Sequence, residues 1–334
     1  MTVIERDLLI VGAGPVGLFA AYYAGFRGLS VAIVDSLPEP GGQVTALYPE
    51  KPIYDIAGFS SVRGRTLVKN LVEQAARFEP TYVLAECATE LDRRTDGTLR
   101  VSTDAGTTFH TRAAIITAGI GTFTPRPLPA GQHLLGRGVS YFVPELEQHR
   151  DQRVVVVGGG DSACDWALAL EPIARTVTLV HRRAAFRAHA HTVSQLARST
   201  VDVITEAQIT KVHGDNRVEG VAITGPGAAQ TERDADAVVA ALGFTANLGP
   251  LRTWGLELSD NRYLRVQGTM QTNVPGLFAA GDITDYGGKV RLLAVGFGEA
   301  ATAVNHAAVY IDPEETVFPG HSTDIPDGPA KETT

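Results

Sequence analysis

Residues 8–21 read LLIVGAGPVGLFAA, and this stretch sets the class of fold. Its first four apolar residues predict a buried strand, and the apolar residues at its end predict a helix. Between them Gly12, Gly14 and Gly17 form a Gly-x-Gly-x-x-Gly turn that also contains Pro15. In this context the glycines let the backbone approach a pyrophosphate, whose charge then rests on the helix N-terminus. The stretch therefore predicts a dinucleotide-binding unit.

A second copy of this plan lies at residues 154–170, VVVVGGGDSACDWALAL. A valine run again predicts a buried strand, and a glycine turn again opens a helix. The third glycine position holds Ala163, which is a permitted replacement where helix and strand pack. The nucleotide-binding residues predicted in this copy are Gly158, Gly160, Asp161, Ser162 and Ala163. Two such units in one chain predict an α/β fold with two Rossmann-like three-layer dinucleotide-binding domains.

The next strand of each unit distinguishes the two sites chemically. It ends at Asp35 in the first unit and at His181 in the second, each 23 residues after the first glycine of its turn (35 − 12 and 181 − 158). An acid at this strand end accepts hydrogen bonds from a ribose diol, whereas arginines accommodate a 2′-phosphate. We therefore expect a free 2′-hydroxyl at the first site and NADP(H) at the second, with a solvated basic turn as the alternative. The basic cluster comprises His181, Arg182, Arg183 and Arg187.

Two strand-like segments that end in small residues bracket the second unit. They are AIITAG at residues 114–119 and VVAALGF at residues 238–244. We interpret them as the two crossings of the chain between domains, so that the second domain is inserted into the first. The first domain is then expected over residues 1–120 and 246–334, and the second over residues 121–245.

Composition and charge limit the class of protein. A length of 334 residues suits two domains of about 150 residues each. The net charge of −8 argues against a nucleic-acid binder, and no run of 18 apolar residues predicts a membrane span. The first residues show no charged leader with an apolar run, so we expect a cytoplasmic protein. Only Cys87 and Cys164 are present, far apart, so no dithiol or zinc spacing exists and redox chemistry requires a bound cofactor.

Together these motifs resemble those of flavoprotein reductases that contain two dinucleotide folds. The resemblance implies FAD in the first domain and NADP(H) in the inserted domain. Gly281 and Asp282, which follow the apolar residues LFAA, correspond to the second FAD motif of such enzymes. Gly42 and Gln43 correspond to the segment that lies along the isoalloxazine ring. No side-chain nucleophile and no metal is implied, because the flavin carries the chemistry.

The layout is similar to that of low-molecular-weight thioredoxin reductases, which have a Cys-x-x-Cys shortly before the second glycine turn. Here GVSY at residues 138–141 is followed by FVPE, so thiol–disulfide exchange is excluded. What remains resembles the thioredoxin-reductase-like ferredoxin–NADP⁺ reductases, which match SLPEPGGQ at 36–43, ALYPEK at 46–51 and HST at 321–323. This resemblance implies hydride transfer between NADPH and FAD, and one-electron transfer between FAD and a ferredoxin or flavodoxin.

Further site residues are implied by the resemblance alone. Tyr48 is expected to stack on one face of the flavin, with Tyr54 as the rival candidate. In this subfamily the C-terminal tail crosses to the partner subunit of a two-fold homodimer, where the residue corresponding to His321 covers the other flavin face. The remaining correspondences to FAD-binding positions fall on Ala88, Phe123, Ser322 and Thr323. A core alanine is the alternative at the first of these, and a buried hinge aromatic is the alternative at the second.

Two other functions stay open at this point. A flavin reductase would pass electrons to quinones, nitro compounds or free flavin, and it would need no docking surface for a protein. A non-catalytic redox sensor would bind both cofactors without turnover, although the intact glycine turns and the arginine cluster argue against it. Lys51, Arg63 and Arg65 would suit an acidic ferredoxin, with an ordinary solvated surface as the alternative.

Overall fold

A computed structural model of the chain describes residues 2–321. Its helices are α1 (Pro15–Phe26), α2 (Gly42–Leu47), α3 (Gly64–Ala76), α4 (Asp161–Leu170), α5 (Ala190–Leu196) and α6 (Leu293–Ile311). Its strands are β1 (Val3–Val11), β2 (Val31–Asp35), β3 (Pro52–Ile53), β4 (Val62–Arg63), β5 (Thr81–Leu84), β6 (Ala88–Arg93), β7 (Leu99–Thr103), β8 (Thr108–Ile116), β9 (Thr122–Pro125), β10 (Val139–Ser140), β11 (Arg153–Val157), β12 (Thr176–Val180), β13 (Asp202–Ile204), β14 (Gln208–His213), β15 (Gly220–Thr224), β16 (Gln230–Asp234), β17 (Ala237–Ala240), β18 (Phe244–Asn247), β19 (Leu258–Ser259), β20 (Tyr263–Arg265), β21 (Leu277–Ala279) and β22 (Thr284–Asp285).

These elements form two compact units. Unit 1 contains residues 2–45, 53–122 and 247–321, and unit 2 contains Ala46–Pro52 and Phe123–Ala246. The chain thus leaves unit 1 after residue 122 and returns to it at residue 247. The domain boundaries expected from the sequence put residues 46–52 in the first domain, whereas here they belong to unit 2.

Packing within unit 2 explains the place of the segment Ala46–Pro52. The Tyr48 side chain packs against the apolar cluster that contains Trp166. The Lys51 ammonium forms an ion pair with the Asp165 carboxylate of α4. Both contacts join residues more than 100 positions apart, which is why the sequence pattern did not reveal them.

The sheet of unit 1 is built around β1. Its parallel strands lie in the order β5, β2, β1, β8 and β21. Strand β8 is long enough to have two neighbours on its far side: its first half pairs antiparallel with β7, and Ala114–Ile116 pair parallel with β21. The strand run predicted at residues 8–11 is fully buried apart from a small part of Val11, as expected for a strand covered on both faces.

Alternate residues of β1 face opposite layers of unit 1. Leu9 and Val11 belong to an apolar cluster with Phe109 and Trp254 on one face. Leu8 and Ile10 face the other way, where α1 packs against α3 and α6. The result is a sheet between two layers, which confirms the predicted fold class.

Unit 2 repeats this three-layer plan with a parallel sheet in the order β10, β17, β11, β12 and β13. Val154 and Val156 of β11 face a cluster that contains Trp166 of α4. Val155 and Val157 face a cluster that contains residues of the antiparallel strands β14 and β15. Within residues 2–321, no helix is both long and apolar enough to cross a bilayer.

Truncating Ile10 tests the central place of β1. Ile10 is fully buried and pairs in register with Ile33 and Ile115, so an Ile10→Ala variant leaves a cavity between two layers. We expect it to lower the free energy of unfolding by about 2–5 kcal/mol, measured by urea denaturation. The matched control, Val3→Ala, changes a residue of the same strand that is 56% exposed and should cost less than about 0.5 kcal/mol. Equal effects at the two positions would contradict the assignment.

Candidate functional site

Three backbone segments pack closely together at the glycine turn of unit 1. Gly12 has a φ of +118°, and a Cβ there would lie 2.6 Å from the carbonyl oxygen of Thr117. A Cβ at Gly17 would lie 1.9 Å from the carbonyl oxygen of Gly12. Side chains are therefore excluded at both positions, and β1 can end directly beneath the first turn of α1.

Gly14 differs from these two glycines because the space beside it is open. A Cβ at Gly14 would meet no atom within 4 Å, and its φ of −68° is accessible to any residue. Helix α1 begins at Pro15 without a side-chain cap and without an acidic residue in its first turn. Its first N–H groups therefore point at an open space and carry the partial positive charge of the helix end. This geometry fits a bound phosphate or pyrophosphate.

Two predicted FAD residues, Gly42 and Gln43, lie beside this turn. A Cβ at Gly42 would lie 3.0 Å from the Cα of Gly14. The Gly41 N–H donates to the carbonyl oxygen of Ala13 over 2.8 Å. The Gln43 side-chain nitrogen would lie 3.0 Å from a Cβ at Gly119. The structure thus brings the segment after residue 40 against the glycine turn, and its place along the isoalloxazine ring stays a prediction.

Asp35 ends β2 next to the same turn. Its Oδ2 accepts a hydrogen bond from the Ala13 N–H over 2.6 Å, and its Oδ1 accepts one from the Leu37 N–H over 2.8 Å. Burial raises the pKa of the Asp35 carboxyl, while both backbone hydrogen bonds act to lower it. Each oxygen keeps a second lone pair, so the carboxylate is oriented and still able to accept hydrogen bonds from a ribose diol.

The turn at Gly281 and Asp282, which comes from the C-terminal part of unit 1, also lies beside this site. A Cβ at Gly281 would lie 3.3 Å from the Val16 side chain, and one at Gly296 would lie 2.6 Å from it. Helix α6 also starts here without a side-chain cap. Asp282 accepts no hydrogen bond from residues 2–321, and burial raises its pKa while Lys289 and Arg291 act to lower it. A half-buried carboxylate with unused acceptors is suited to a polyol or sugar.

Three other residues predicted to contact FAD are Tyr48, Ala88 and Phe123. Ala88 starts β6, and its side chain belongs to the apolar core of unit 1. Tyr48 and Phe123 both belong to unit 2, where Phe123 packs edge-on against Phe244 with ring centroids 5.7 Å apart. Unit 1 therefore does not by itself bring these two aromatic side chains to its glycine turn. The rival Tyr54 lies in unit 1 and is 70% exposed.

The C-terminal segment of the described chain is tied to α1 by one arginine. The buried Arg27 guanidinium donates to the carbonyl oxygens of Thr316 and Val317 and to the Glu315 carboxylate. The exposed His321 ring then packs edge-on against Phe318, with ring centroids 5.2 Å apart. The predicted positions Ser322 and Thr323 lie outside the described residues.

The glycine turn of unit 2 has the same division between crowded and open positions. A Cβ at Gly158 would lie 2.4 Å from the carbonyl oxygen of Ala241, whereas a Cβ at Gly160 would meet nothing within 4 Å. Helix α4 begins at Asp161 without a side-chain cap. The Asp161 carboxylate accepts a hydrogen bond from the His189 N–H over 2.8 Å. The helix N-terminus again faces an open space that fits a pyrophosphate. Of the other two predicted residues, Ser162 is exposed and Ala163 is buried.

The basic cluster divides into one buried and three exposed side chains. His181 is 6% exposed, its ring stacks on Phe186 at 5.1 Å, and a Cβ at Gly159 would lie 2.0 Å from it. Burial lowers the pKa of His181, with a further lowering by the neighbouring arginines. The ring therefore supports the glycine turn as a neutral packing group, and its direct contact with a nucleotide stays a prediction.

The three arginines of this cluster are available for an anion. Arg182, Arg183 and Arg187 are exposed, and their guanidinium groups have no acidic partner among residues 2–321. The Arg187 N–H donates to the carbonyl oxygen of Gly159 over 2.7 Å, which holds the arginine loop against the glycine turn. Three unpaired guanidinium groups beside a pyrophosphate cradle fit the 2′-phosphate of NADP(H).

The segment that would carry a redox dithiol is filled with apolar side chains. Phe142 stacks on Phe244 with ring planes 15° apart, and Val143 is fully buried. Of the two cysteines, Cys164 is buried in unit 2, where burial raises its pKa to about 11. Cys87 is half-buried in unit 1, and burial raises its pKa as well. Neither thiol is poised as a thiolate nucleophile, so neither can replace the missing dithiol.

Sequence reasoning missed one polar group of the site. Glu299 lies on α6 and binds the Gly281 N–H, with Lys289 and Tyr286 as further partners. The available signal was that Glu299 is the single acidic residue in the 19-residue apolar helix α6.

The basic residues expected to suit a ferredoxin are divided between the two units. Lys51 is paired with Asp165 in unit 2, while Arg63 and Arg65 are exposed in unit 1.

A known protein family and several named proteins match this chain over most of its length. The family described as pyridine nucleotide-disulphide oxidoreductase matches residues 6–307. A Nocardioides protein (strain JS614) named ferredoxin–NADP reductase is 59% identical over 324 residues, which cover 96% of this chain and 98% of that protein. A protein of the same name from Frankia alni is 59% identical and covers 95% of this chain and 98% of its own.

Among solved structures, the thioredoxin reductase of T. acidophilum has a similar fold. The two superimpose with a TM-score of 0.76 and 27% sequence identity, over 93% of this chain and 99% of that one. The likeness extends over both units. In the present chain, residues 142–145 read FVPE and contain no cysteine.

Two glycine-to-alanine variants test whether the open space at Gly14 is a cofactor site. Gly14→Ala should leave folding intact, because the added methyl group meets nothing, and it should weaken FAD binding about 10- to 100-fold by narrowing the cradle. Gly17→Ala is the contrast, since its methyl group collides with the Gly12 carbonyl and should lower the unfolding temperature of the FAD-free protein. Fluorescence titration with FAD and thermal unfolding measure the two effects. Unchanged FAD affinity in Gly14→Ala would place the cofactor elsewhere.

Proposed function

Because the chain belongs to the pyridine nucleotide-disulphide oxidoreductase family, we propose that it is a ferredoxin–NADP reductase. Full-length relatives at 59% identity bear that name. The observation that carries the proposal is the combination in unit 2 of an arginine-lined glycine turn with a dithiol segment that contains no cysteine. Such a protein can take NADP(H), yet it has no thiol through which to reduce a disulfide.

The family uses FAD and NADP(H), and the two glycine turns suit these cofactors differently. When bound, FAD would exchange a hydride with NADP(H) and exchange electrons one at a time with ferredoxin. Two ferredoxins therefore balance each NADPH. The protein supplies no nucleophile, so its own residues bind the cofactors, orient them and exclude water.

Unit 1 is proposed as the FAD domain. Gly12, Gly14 and the start of α1 would hold the pyrophosphate, because they form an open and uncapped helix end. Asp35 would accept hydrogen bonds from the adenosine ribose, since two backbone N–H groups already orient its carboxylate. Asp282 would bind the ribityl and pyrophosphate region, where its unused acceptors are available.

Unit 2 is proposed as the NADP(H) domain. Gly160 and the start of α4 would hold the pyrophosphate, and Arg182, Arg183 and Arg187 would bind the 2′-phosphate. The proposed domain comprises Phe123–Ala246 together with Ala46–Pro52, which form one compact unit. Stacking of Tyr48 on the flavin and contact of Phe123 with it are proposals that the resemblance supports.

The C-terminal end supports the proposal of a homodimer. Val317 and Phe318 are 45% and 63% exposed, although both are apolar and follow the segment that Arg27 holds. Two adjacent exposed apolar side chains in this segment suit burial against another copy. In that dimer His321 would cover the flavin of the partner subunit. A flavodoxin is the alternative protein partner, since it also exchanges single electrons.

Arginine variants test the choice of nucleotide. An Arg183→Ala variant should raise the KM for NADPH about 10- to 100-fold, because a hydrogen bond between charged groups contributes about 1.5–3 kcal/mol. The KM for NADH, which has no 2′-phosphate, should stay unchanged. Arg198→Ala is the matched control, since Arg198 is exposed on the same unit outside the cluster. Equal effects on NADPH and NADH would refute the role in 2′-phosphate binding.

The ferredoxin partner is tested by NADPH-driven reduction of cytochrome c with and without ferredoxin. We expect a large, saturable rise in rate with ferredoxin, a marked preference for NADPH over NADH, and no rise in protein stripped of FAD. A rate that ferredoxin does not change, together with fast reduction of a quinone or ferricyanide, would replace the proposal with a reductase of small acceptors. A flavin that stays oxidised under excess NADPH without oxygen would point to the redox sensor.

A further inference from the structure

A buried ion pair lies beneath the Gly281 turn of unit 1. The Lys289 Nζ and the Glu299 Oε1 are 2.5 Å apart, and the two side chains are 3% and 4% exposed. Taking two charges out of water is costly unless hydrogen bonds satisfy both groups. Replacement of such a pair by well-packed apolar side chains is often neutral or stabilising, so stability alone does not account for this pair.

Both charges hold the same backbone residue. The Gly281 N–H donates to Glu299 Oε2 over 2.7 Å, and Lys289 Nζ donates to the Gly281 carbonyl oxygen over 2.9 Å. Gly281 has a φ of +84°, so its peptide groups point in directions that few other residues allow. The Tyr286 hydroxyl donates to Glu299 Oε1 over 2.6 Å, and burial beside Glu299 raises the pKa of Tyr286 to about 12. The turn is therefore held on both sides by opposite charges.

The Gly281–Asp282 turn faces the open space at Gly14, where unit 1 is expected to bind its cofactor. Gly281 and Gly296 both lie against Val16, which belongs to the first turn of α1 next to the open space at Gly14. Asp282 directly follows Gly281 and has unused acceptors. Lys289 and Glu299 both act on the pKa of Asp282, in opposite directions. The ion pair is thus electrically coupled to the one acidic side chain of this turn.

We propose that Glu299 and Lys289 are positioning residues that hold the Gly281–Asp282 turn and balance the electrostatic potential at the bound flavin. This inference rests on the proposed function in one respect, namely that FAD occupies the cradle of unit 1. Removal of either charge leaves the other buried without compensation. Reduction adds negative charge to a flavin, so an uncompensated Lys289 favours the reduced form and an uncompensated Glu299 favours the oxidised form.

Charge-removing variants test this balance through the midpoint potential of bound FAD, measured against reference dyes without ferredoxin. We expect Glu299→Gln to shift the potential to a more positive value and Lys289→Met to shift it to a more negative value. Each shift should correspond to about a tenfold change in the reduction equilibrium constant, or ~30 mV for a two-electron couple. The double variant, which is neutral again, should return close to the wild-type potential.

Tyr286→Phe is the matched control, because it removes a hydrogen bond to Glu299 without changing a charge. Its potential should stay close to that of the wild type, while its FAD affinity falls slightly. Shifts of the same sign in both single variants, or no shift in either, would overturn the proposal. So would loss of FAD from all three variants while each stays folded, because the pair would then be needed to form the FAD site and not to balance the potential of the flavin.

Variants that do not fold, and a protein that does not reduce ferredoxin, also give defined results. If a single variant does not fold, a folded double variant that binds FAD supports mutual compensation of the two charges, and an unfolded one contradicts it. The readout contains no ferredoxin. A protein that shows opposite shifts of potential and yet does not reduce ferredoxin would therefore keep this inference and lose the proposed function.

Discussion

The carbonyl oxygen of Gly12 occupies the space that a side chain at Gly17 would need, and the rest of unit 1 is arranged around that close approach. The Thr117 hydroxyl donates to the same carbonyl over 2.7 Å, which ties the end of β8 to the end of β1. With strand and helix held so closely, the first N–H groups of α1 face open space. The Ala13 N–H is used to orient Asp35 instead of being left to solvent. One steric constraint thus creates both an anion cradle and its neighbouring acid.

Unit 2 has the same constraint with a different chemical outcome. Gly158 approaches Ala241 as Gly12 approaches Thr117, and Gly160 leaves a comparable open space. The difference lies in the strand end, where three exposed guanidinium groups stand in place of a carboxylate. His181 lies under the turn as a neutral ring, which keeps it from competing with the arginines for an anion. The same backbone arrangement therefore suits a dinucleotide in each unit, and the side chains at the end of the next strand favour a different cofactor at each turn.

The chain has the layout of a disulfide reductase without the thiols of one. Phe142 and Val143 fill the relevant segment by aromatic stacking and burial, and the two cysteines that exist have raised pKa values. Electrons that reach the flavin have no protein thiol to move to, so an external acceptor has to receive them. The protein's own contribution is then positional and electrostatic, which gives the buried charges behind the Gly281 turn their importance.

Local sequence was sufficient for the parts of this protein that depend on short-range sterics. A valine or leucine run, a glycine turn and an apolar helix specify strand, turn and helix because neighbouring residues alone set the backbone angles. The sequence also predicted different ligand chemistry at Asp35 and at the arginine cluster, because each follows directly from a local strand end. Contacts between residues far apart in the chain could not be predicted from local sequence. The place of residues 46–52 in unit 2 rests on packing with α4, and Glu299 meets Gly281 across 18 residues from within an apolar helix. The sequence shows that a lone carboxylate is present in α6, but its burial, its partner and its effect arise from how the helix packs in three dimensions.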